Sequence, residues 1–242
     1  MRTTPPDAAL RHPAVQRLRS IAEQLGGLRE RVVFIGGAIA PLLQAAPPFK
    51  SARVTKDVDA IVATTTYGEY HALTEQLRAA GFHQSHNIAD THVHRWTTAD
   101  GLLFDLVSAG HHVAASGQRW DTLALQCAIE ADLGSGVWVR HASAPAFLAL
   151  KFAAYADRGR NDPFMSHDLE DIVALIASRA QIVSEVATTH PEITGYVTAE
   201  CLALWNHPMV HDLLAANLSN SFTEAETVRT TTMRLGELAL VR

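Results

Sequence analysis

Asp57 and Asp59, in Thr55-Lys56-Asp57-Val58-Asp59-Ala60, stand two residues apart. In a strand that spacing puts both carboxylates on one side and Val58 on the other, toward a core. Adjacent carboxylates repel, and a sheet does not favour them without a cation. Mg²⁺ takes oxygen ligands, keeps several waters and shares phosphate oxygens with a substrate. Two such ions clamp the attacking and leaving oxygens of an in-line displacement. Asp105 is a third acid, set in the otherwise apolar run Leu103-Phe104-Asp105-Leu106-Val107. A charge there needs a partner or a task. If its strand lies beside that of Asp57, three carboxylates converge, and Asp105 either takes a proton from an incoming hydroxyl or binds a second metal ion. Asp-Val-Asp alone also reads as a polar strand end; the third acid is what favours a metal site.

Upstream, Phe34-Ile35-Gly36-Gly37-Ala38 reads as a buried strand, a tight turn and a helix start. Glycine amides at a positive helix end can hold a phosphate; a turn without a ligand is the plain alternative. Arg53 and Lys56 flank the acids and are placed either to meet phosphate or to be solvated. Lys151, Tyr155 and Arg158 share one helical face, beside an apolar face of Leu148, Phe152 and Ala156. Lys151 therefore sits at a buried edge, where a lysine snorkels or binds an anion. Ser166 suits an N-cap for a helix to Ala177 that carries Asp168 and Asp171. First-turn acids also simply compensate the helix dipole, and Asp171 fits a structural role, pairing an arginine.

These side chains need a scaffold. Val15, Leu18, Ala22 and Leu25 predict a helix over 13–25. Strands are predicted at 32–35, 58–62 and 137–141, with a hairpin of 93–98 and 102–107 around Ala99-Asp100-Gly101. Helices are predicted at 38–45, ended by Pro47-Pro48, through Tyr70, Leu73, Leu77 and Ala80, and at 122–131. After Pro145 the pattern is helical almost throughout. The expectation is an α+β chain, with a mixed domain at 1–143 and a helical bundle at 144–242.

The chain has 242 residues, 48% hydrophobic, enough for a sizeable core. A net charge of -5 excludes a broad basic footprint for duplex DNA. Cys127 and Cys201, far apart in helical contexts, read as buried thiols of a reducing compartment. The N-terminus has no apolar signal core. Residues 32–49 are uncharged, but Gly36-Gly37, Pro41 and Pro47-Pro48 break them as a membrane span. A cytoplasmic protein without membrane contact is expected. His83, His86, His92 and His94 match no strong zinc template, and His111-His112 and His207/His211 are treated alike, as exposed or hydrogen-bonded imidazoles. Trp96 and Trp120 suit a core better than a base-stacking platform.

Together, Phe34-Ile35-Gly36-Gly37-Ala38 and Thr55-Lys56-Asp57-Val58-Asp59 resemble the nucleotidyltransferase superfamily of DNA polymerase β type. More narrowly, Phe147-Leu148-Ala149-Leu150-Lys151, Asp157-Arg158-Gly159 and Ser166-His167-Asp168-Leu169-Glu170-Asp171 resemble the AbiEii/AbiGii toxin-like nucleotidyltransferases. The resemblance covers about 32–176. It implies a nucleotidyltransferase-type mixed sheet flanked by helices, followed by a helical domain. It implies NTP and Mg²⁺, two ions, with NMP passed to an acceptor hydroxyl and pyrophosphate released. By motif, Gly36 and Gly37 cradle phosphate, Asp57, Asp59 and Asp105 bind metal, and Lys151 contacts phosphate, with Arg158 closing beside it. Asp168 matches the acid of the family's Arg-Asp pair. His167 stands where that pair has arginine, and Gly-Gly where the superfamily more often has Gly-Ser. Toxin relatives act on tRNA ends, so a tRNA 3′ end and a cognate antitoxin are one expectation. A small hydroxylated acceptor suits the low basic charge better. The alternative is a catalytically inactive binding or regulatory module, against which the presence of all three acids argues.

Overall fold

The computed structural model describes residues 2–44, 53–64, 66–84, 94–109, 118–218 and 224–241. The expected stop at Pro47-Pro48, the start of the first hairpin strand at Val93, and His86, His92, His111 and His112 lie outside the described residues. The chain divides into two compact units, Met1–Leu42 with Val54–Ala142, and Leu43–Arg53 with Ser143–Arg242. No described helix is long and apolar enough to cross a membrane.

The first unit carries a mixed eight-stranded sheet, and the described chain as a whole is α+β. Its strands are β1 (Arg2–Thr3), β2 (Val32–Ile35), β3 (Asp57–Ala63), β4 (His83–Gln84), β5 (Arg95–Thr97), β6 (Leu103–Ala109), β7 (Ile129–Asp132) and β8 (Trp138–His141). They lie in the order β1-β7-β8-β2-β3-β6-β5-β4. β3 is antiparallel to β2 and parallel to β6, and β6 is antiparallel to β5. The helices are α1 (Asp7–Leu10), α2 (Pro13–Leu25), α3 (Ala40–Leu43), α4 (Tyr67–Ala79) and α5 (Gln118–Gln126). α2 starts where the His12 ring accepts from the Ala14 N–H, with proline at the first position. It buries Val15, Leu18, Ile21, Ala22 and Leu25 along one stripe. α4 opens on a capping box between Thr66 and Glu69. Period-two alternation sends Val58, Phe104 and Trp96 to one sheet face, where each is at most 1% exposed. Burying such side chains stabilises by roughly 1.5–3 kcal/mol each.

Two expected elements differ. The helix predicted at 38–45 is a 3-10 turn, Gly37–Ile39, then the single α-turn α3. The helix predicted at 122–131 ends at Gln126, and Ile129–Asp132 is β7. There the backbone pairs with β1 on one side and β8 on the other, and two ladders outweigh the helical preference of Glu130 and Ala131. Gly134, Ser135 and Gly136 all take positive φ in the β7–β8 turn, a conformation glycine supplies cheaply. Cys127 consequently falls just past α5 and is half-buried, whereas Cys201 is buried in a helix.

In the second unit every element from Ala144 onward is helical among the described residues. These are α6 (Ala144–Ala154), α7 (His167–Ser178), α8 (Ile182–Ala187), α9 (Pro191–Trp205), α10 (Val210–Leu218) and α11 (Glu224–Leu238). Phe147, Leu148, Phe152, Ile172, Ile193, Val197, Leu213 and Leu235 form its core. A π-turn, Tyr155–Gly159, follows α6 directly. The wider turn shifts the face, so Ala156 is exposed rather than continuing the apolar face of Leu148 and Phe152.

Candidate functional site

The strand register assembles the acids. Asp59 on β3 lies directly opposite Asp105 on β6, and Asp105 lies directly opposite Arg95 on β5. Opposed residues share a face, so a row Asp59–Asp105–Arg95 crosses three strands, with Asp57 two residues before Asp59 on the same face. Carboxylate oxygens of Asp57, Asp59 and Asp105 lie within 4.8 Å of one another. Among the described residues this is the one cluster of three or more His, Cys, Asp or Glu that could hold a metal ion.

The neighbours of the row fix it. The Thr55 hydroxyl donates to Asp57 Oδ1 at 2.6 Å. Arg17 on α2 donates to the Thr55 carbonyl at 2.5 Å, tying the approach to β3. Gly36 has φ 69° and ψ -165°, a region essentially reserved for glycine. A Cβ there would overlap the Asp59 carboxylate. The glycine is thus required twice, by its backbone and by the carboxylate packed against it. Gly37 is buried at the start of the 3-10 turn. So short a helical segment aligns few peptide dipoles, and the positive helix end expected behind the glycines is correspondingly weak.

Arg95 is the site residue missed by sequence reasoning. Its Nε donates to Asp105 Oδ1 at 2.8 Å and its Nη2 to Oδ2 at 2.7 Å, a bidentate fork. The same Nη2 lies 3.5 Å from Asp57 Oδ2. The side chains are shielded, 18% exposed for Arg95 and 15% for Asp105, with Asp57 more open at 34%. A signal for it existed. The loop Ala99-Asp100-Gly101 sets a hairpin register in which Thr97 faces Leu103 and Arg95 faces Asp105.

The donor set suits Mg²⁺, a hard cation taking carboxylate oxygens. Asp57 and Asp59 would hold it. Asp105 shares its two oxygens with Arg95. Of the flanking cations, Lys56 is exposed, and Arg53 is half-buried with its Nε making no hydrogen bond among the described residues.

Lys151, Arg158 and Asp168 meet in a second cluster, within the helical unit. Lys151 Nζ donates to Asp168 Oδ1 at 3.1 Å. It forms an ion pair with Asp171 Oδ2 at 2.5 Å. Arg158, on the π-turn, donates to both Asp168 oxygens, at 2.8 and 3.1 Å. Asp171 thus pairs with the lysine rather than with an arginine. Burial alone would lower the Lys151 pKa, but Asp171 and Asp168 outweigh it and raise it. Burial would raise that of Asp168, but Arg158 and Lys151 hold it below the usual carboxylate range. Ser166 caps α7 by accepting from the Leu169 N–H. A Cβ on Gly159 would strike Ser166 and the Tyr155 ring, which accounts for glycine after Arg158.

The remaining aromatic and imidazole groups fall into place singly. Trp96 and Trp120 are buried, whereas Trp205 is 39% exposed. His83 is exposed and His94 half-buried, and the His207 ring accepts from the Met209 N–H.

No protein-family model matches the chain, and no curated protein matches it.

Proposed function

We propose that this chain is a Mg²⁺-dependent nucleotidyltransferase that moves a nucleoside monophosphate from a nucleoside triphosphate to an acceptor hydroxyl. The observation that carries the reading is the convergence of Asp57, Asp59 and Asp105 on one sheet face, oxygens within 4.8 Å, beside a glycine pressed onto Asp59. Support also comes from the mixed sheet that holds them and from the resemblance of the two sheet motifs to the polymerase β type. Bound Mg²⁺ supplies charge neutralisation at phosphate oxygens. Asp57 and Asp59 provide its oxygens, and Thr55 and Gly36 fix where those oxygens stand. The acceptor hydroxyl would give its proton to solvent as its oxygen attacks the α-phosphorus, the bond to the bridging oxygen would break, and pyrophosphate would leave with that electron pair. Most of the catalysis is positioning and charge neutralisation. Lys151 is held by Asp168 and Asp171, and Arg158 forks onto Asp168, so these charges are paired within the helical unit.

The acceptor that fits a net charge of -5 is a small hydroxylated molecule. A tRNA 3′ end, with an antitoxin partner, is the expectation from the toxin-like motifs. Transfer to RNA weakens steeply with salt and transfer to a small molecule does not. One observation favours a second reading, an inert binding module: both Asp105 oxygens are taken by Arg95. Incubation with α-labelled triphosphates, total RNA and a small-molecule extract separates the two. Label transfer that Asp57→Ala abolishes supports the enzyme. No transfer to any fraction, with Asp57→Ala binding triphosphate as well as the parent, overturns it.

A further inference from the structure

The Arg95 fork reaches both acids that a bridging cation would use. Its Nη2 sits 2.7 Å from Asp105 Oδ2 and 3.5 Å from Asp57 Oδ2. The chain's own guanidinium thereby serves as the counter-charge between β3 and β6. We propose that Arg95 is a tethered competitor for the divalent ion, so that the acid row takes the ion well only when a polyphosphate arrives to accept the arginine. This inference rests on the nucleotidyltransferase reading and concerns how that same site is loaded.

Three features carry it. First, the fork is bidentate and shielded, so Asp105 meets a metal only by giving up or sharing oxygens that already accept short hydrogen bonds. Second, the guanidinium already offsets one of the two charges on the Asp57–Asp105 pair that it touches. An ion bridging Asp57 and Asp105 would stand against that positive charge, and like charges at contact distance in a shielded site repel strongly. Third, the arginine is held by register rather than by packing alone. Arg95 faces Asp105 directly across an antiparallel pair, while its neighbour Trp96 is fully buried on the opposite face. The strand therefore stays anchored while the guanidinium moves. A phosphate is the natural acceptor, since the fork that matches a carboxylate matches phosphate oxygens as well. Arg95 acts on the ion through Asp105 and Asp57, which makes it a positioning residue.

The test is binding of Mn²⁺, a paramagnetic substitute for Mg²⁺, read by electron paramagnetic resonance without any turnover. Parent, Arg95→Gln and Arg95→Lys are compared, each checked for folding by circular dichroism. The competitor role predicts that Arg95→Gln binds free Mn²⁺ about tenfold or more tightly than the parent. It predicts that Arg95→Lys falls between them, because a point charge lacks the fork. It also predicts that a non-hydrolysable nucleoside triphosphate tightens Mn²⁺ binding more in the parent than in Arg95→Gln. An arginine that merely supports Asp105 as a metal ligand gives the reverse, weaker Mn²⁺ binding in Arg95→Gln, and that result or equal binding overturns the inference while leaving the metal site standing. Failure of all three proteins to bind Mn²⁺, with or without triphosphate, overturns the metal reading and the inference with it.

Discussion

On the sheet, three carboxylates converge and two of them share one guanidinium; in the helical unit, two carboxylates share an ammonium and a guanidinium. Counted over those residues, the first group carries -2 and the second is neutral. The acids of the second group are also the better buried, 5% exposed for Asp168 and Asp171 against 34% for Asp57. A buried cluster whose charges cancel has the form of a structural ion pair, costly to break and silent otherwise. A half-shielded cluster with surplus negative charge has the form of a cation site. Lys151, the candidate phosphate contact of the sequence, and Asp168, the acid matched to the Arg-Asp pair, thus have their charges paired within the helical unit.

The comparison breaks first at the acids. On the proposed function, Asp59→Asn lowers nucleotidyl transfer by about 10²–10³-fold or more and leaves the midpoint of thermal unfolding close to that of the parent, because the lost charge also repels Asp57 and Asp105. Activity assays beside calorimetry check both halves; a variant that unfolds easily would make the row structural. Lys151→Met is the mirror experiment. It removes the ammonium from two buried carboxylates, of which Asp168 keeps the Arg158 fork and Asp171 does not, and costs about 3–5 kcal/mol, measured by urea denaturation, with residual activity tracking the folded fraction. Equal stability combined with lost triphosphate binding would move Lys151 into the site.

Asp121, on α5 in the sheet unit, offers a finer test of how that unit tolerates acids. Burial pushes its pKa up to about 6. An acid raised on folding binds protons more readily in the native state, so it costs stability above that pKa and the cost fades as pH falls toward its ordinary range. Asp121→Asn therefore gains about 1–3 kcal/mol at pH 8 and nearly nothing at pH 4, checked by unfolding at both values. The smallest effect falls on Arg158, 70% exposed despite its fork onto Asp168. Arg158→Ala costs about 0–1 kcal/mol. A larger loss of triphosphate affinity than of stability gives the guanidinium a role beyond that pair.

Local pattern carried much of this molecule. The stripe Val15, Leu18, Ala22 and Leu25 marks α2, Ser166 marks the start of α7, and the Asp-Val-Asp alternation marks the face on which the acids stand. What local pattern lacks is pairing. Ile129–Asp132 is a strand because two partners flank it, and neither partner is visible from the segment itself. In the Tyr155–Gly159 π-turn, Gly159 likewise stands where a side chain would strike Ser166, a contact between segments. Arg95 is the instructive case. Its place opposite Asp105 follows from the hairpin register, which the loop residues already encode, so the omission was one of counting across the turn rather than of missing information.

The central claim is that the sheet acids, and not the helical ion pairs, take the cation that accompanies a triphosphate. It is tested most directly by titrating Mn²⁺ with a non-hydrolysable nucleoside triphosphate into the parent, Asp57→Asn/Asp59→Asn and Arg158→Ala. The account predicts saturable binding in the parent, loss of at least about tenfold in the double variant and little change in Arg158→Ala. Equal Mn²⁺ binding by the parent and the double variant would contradict it.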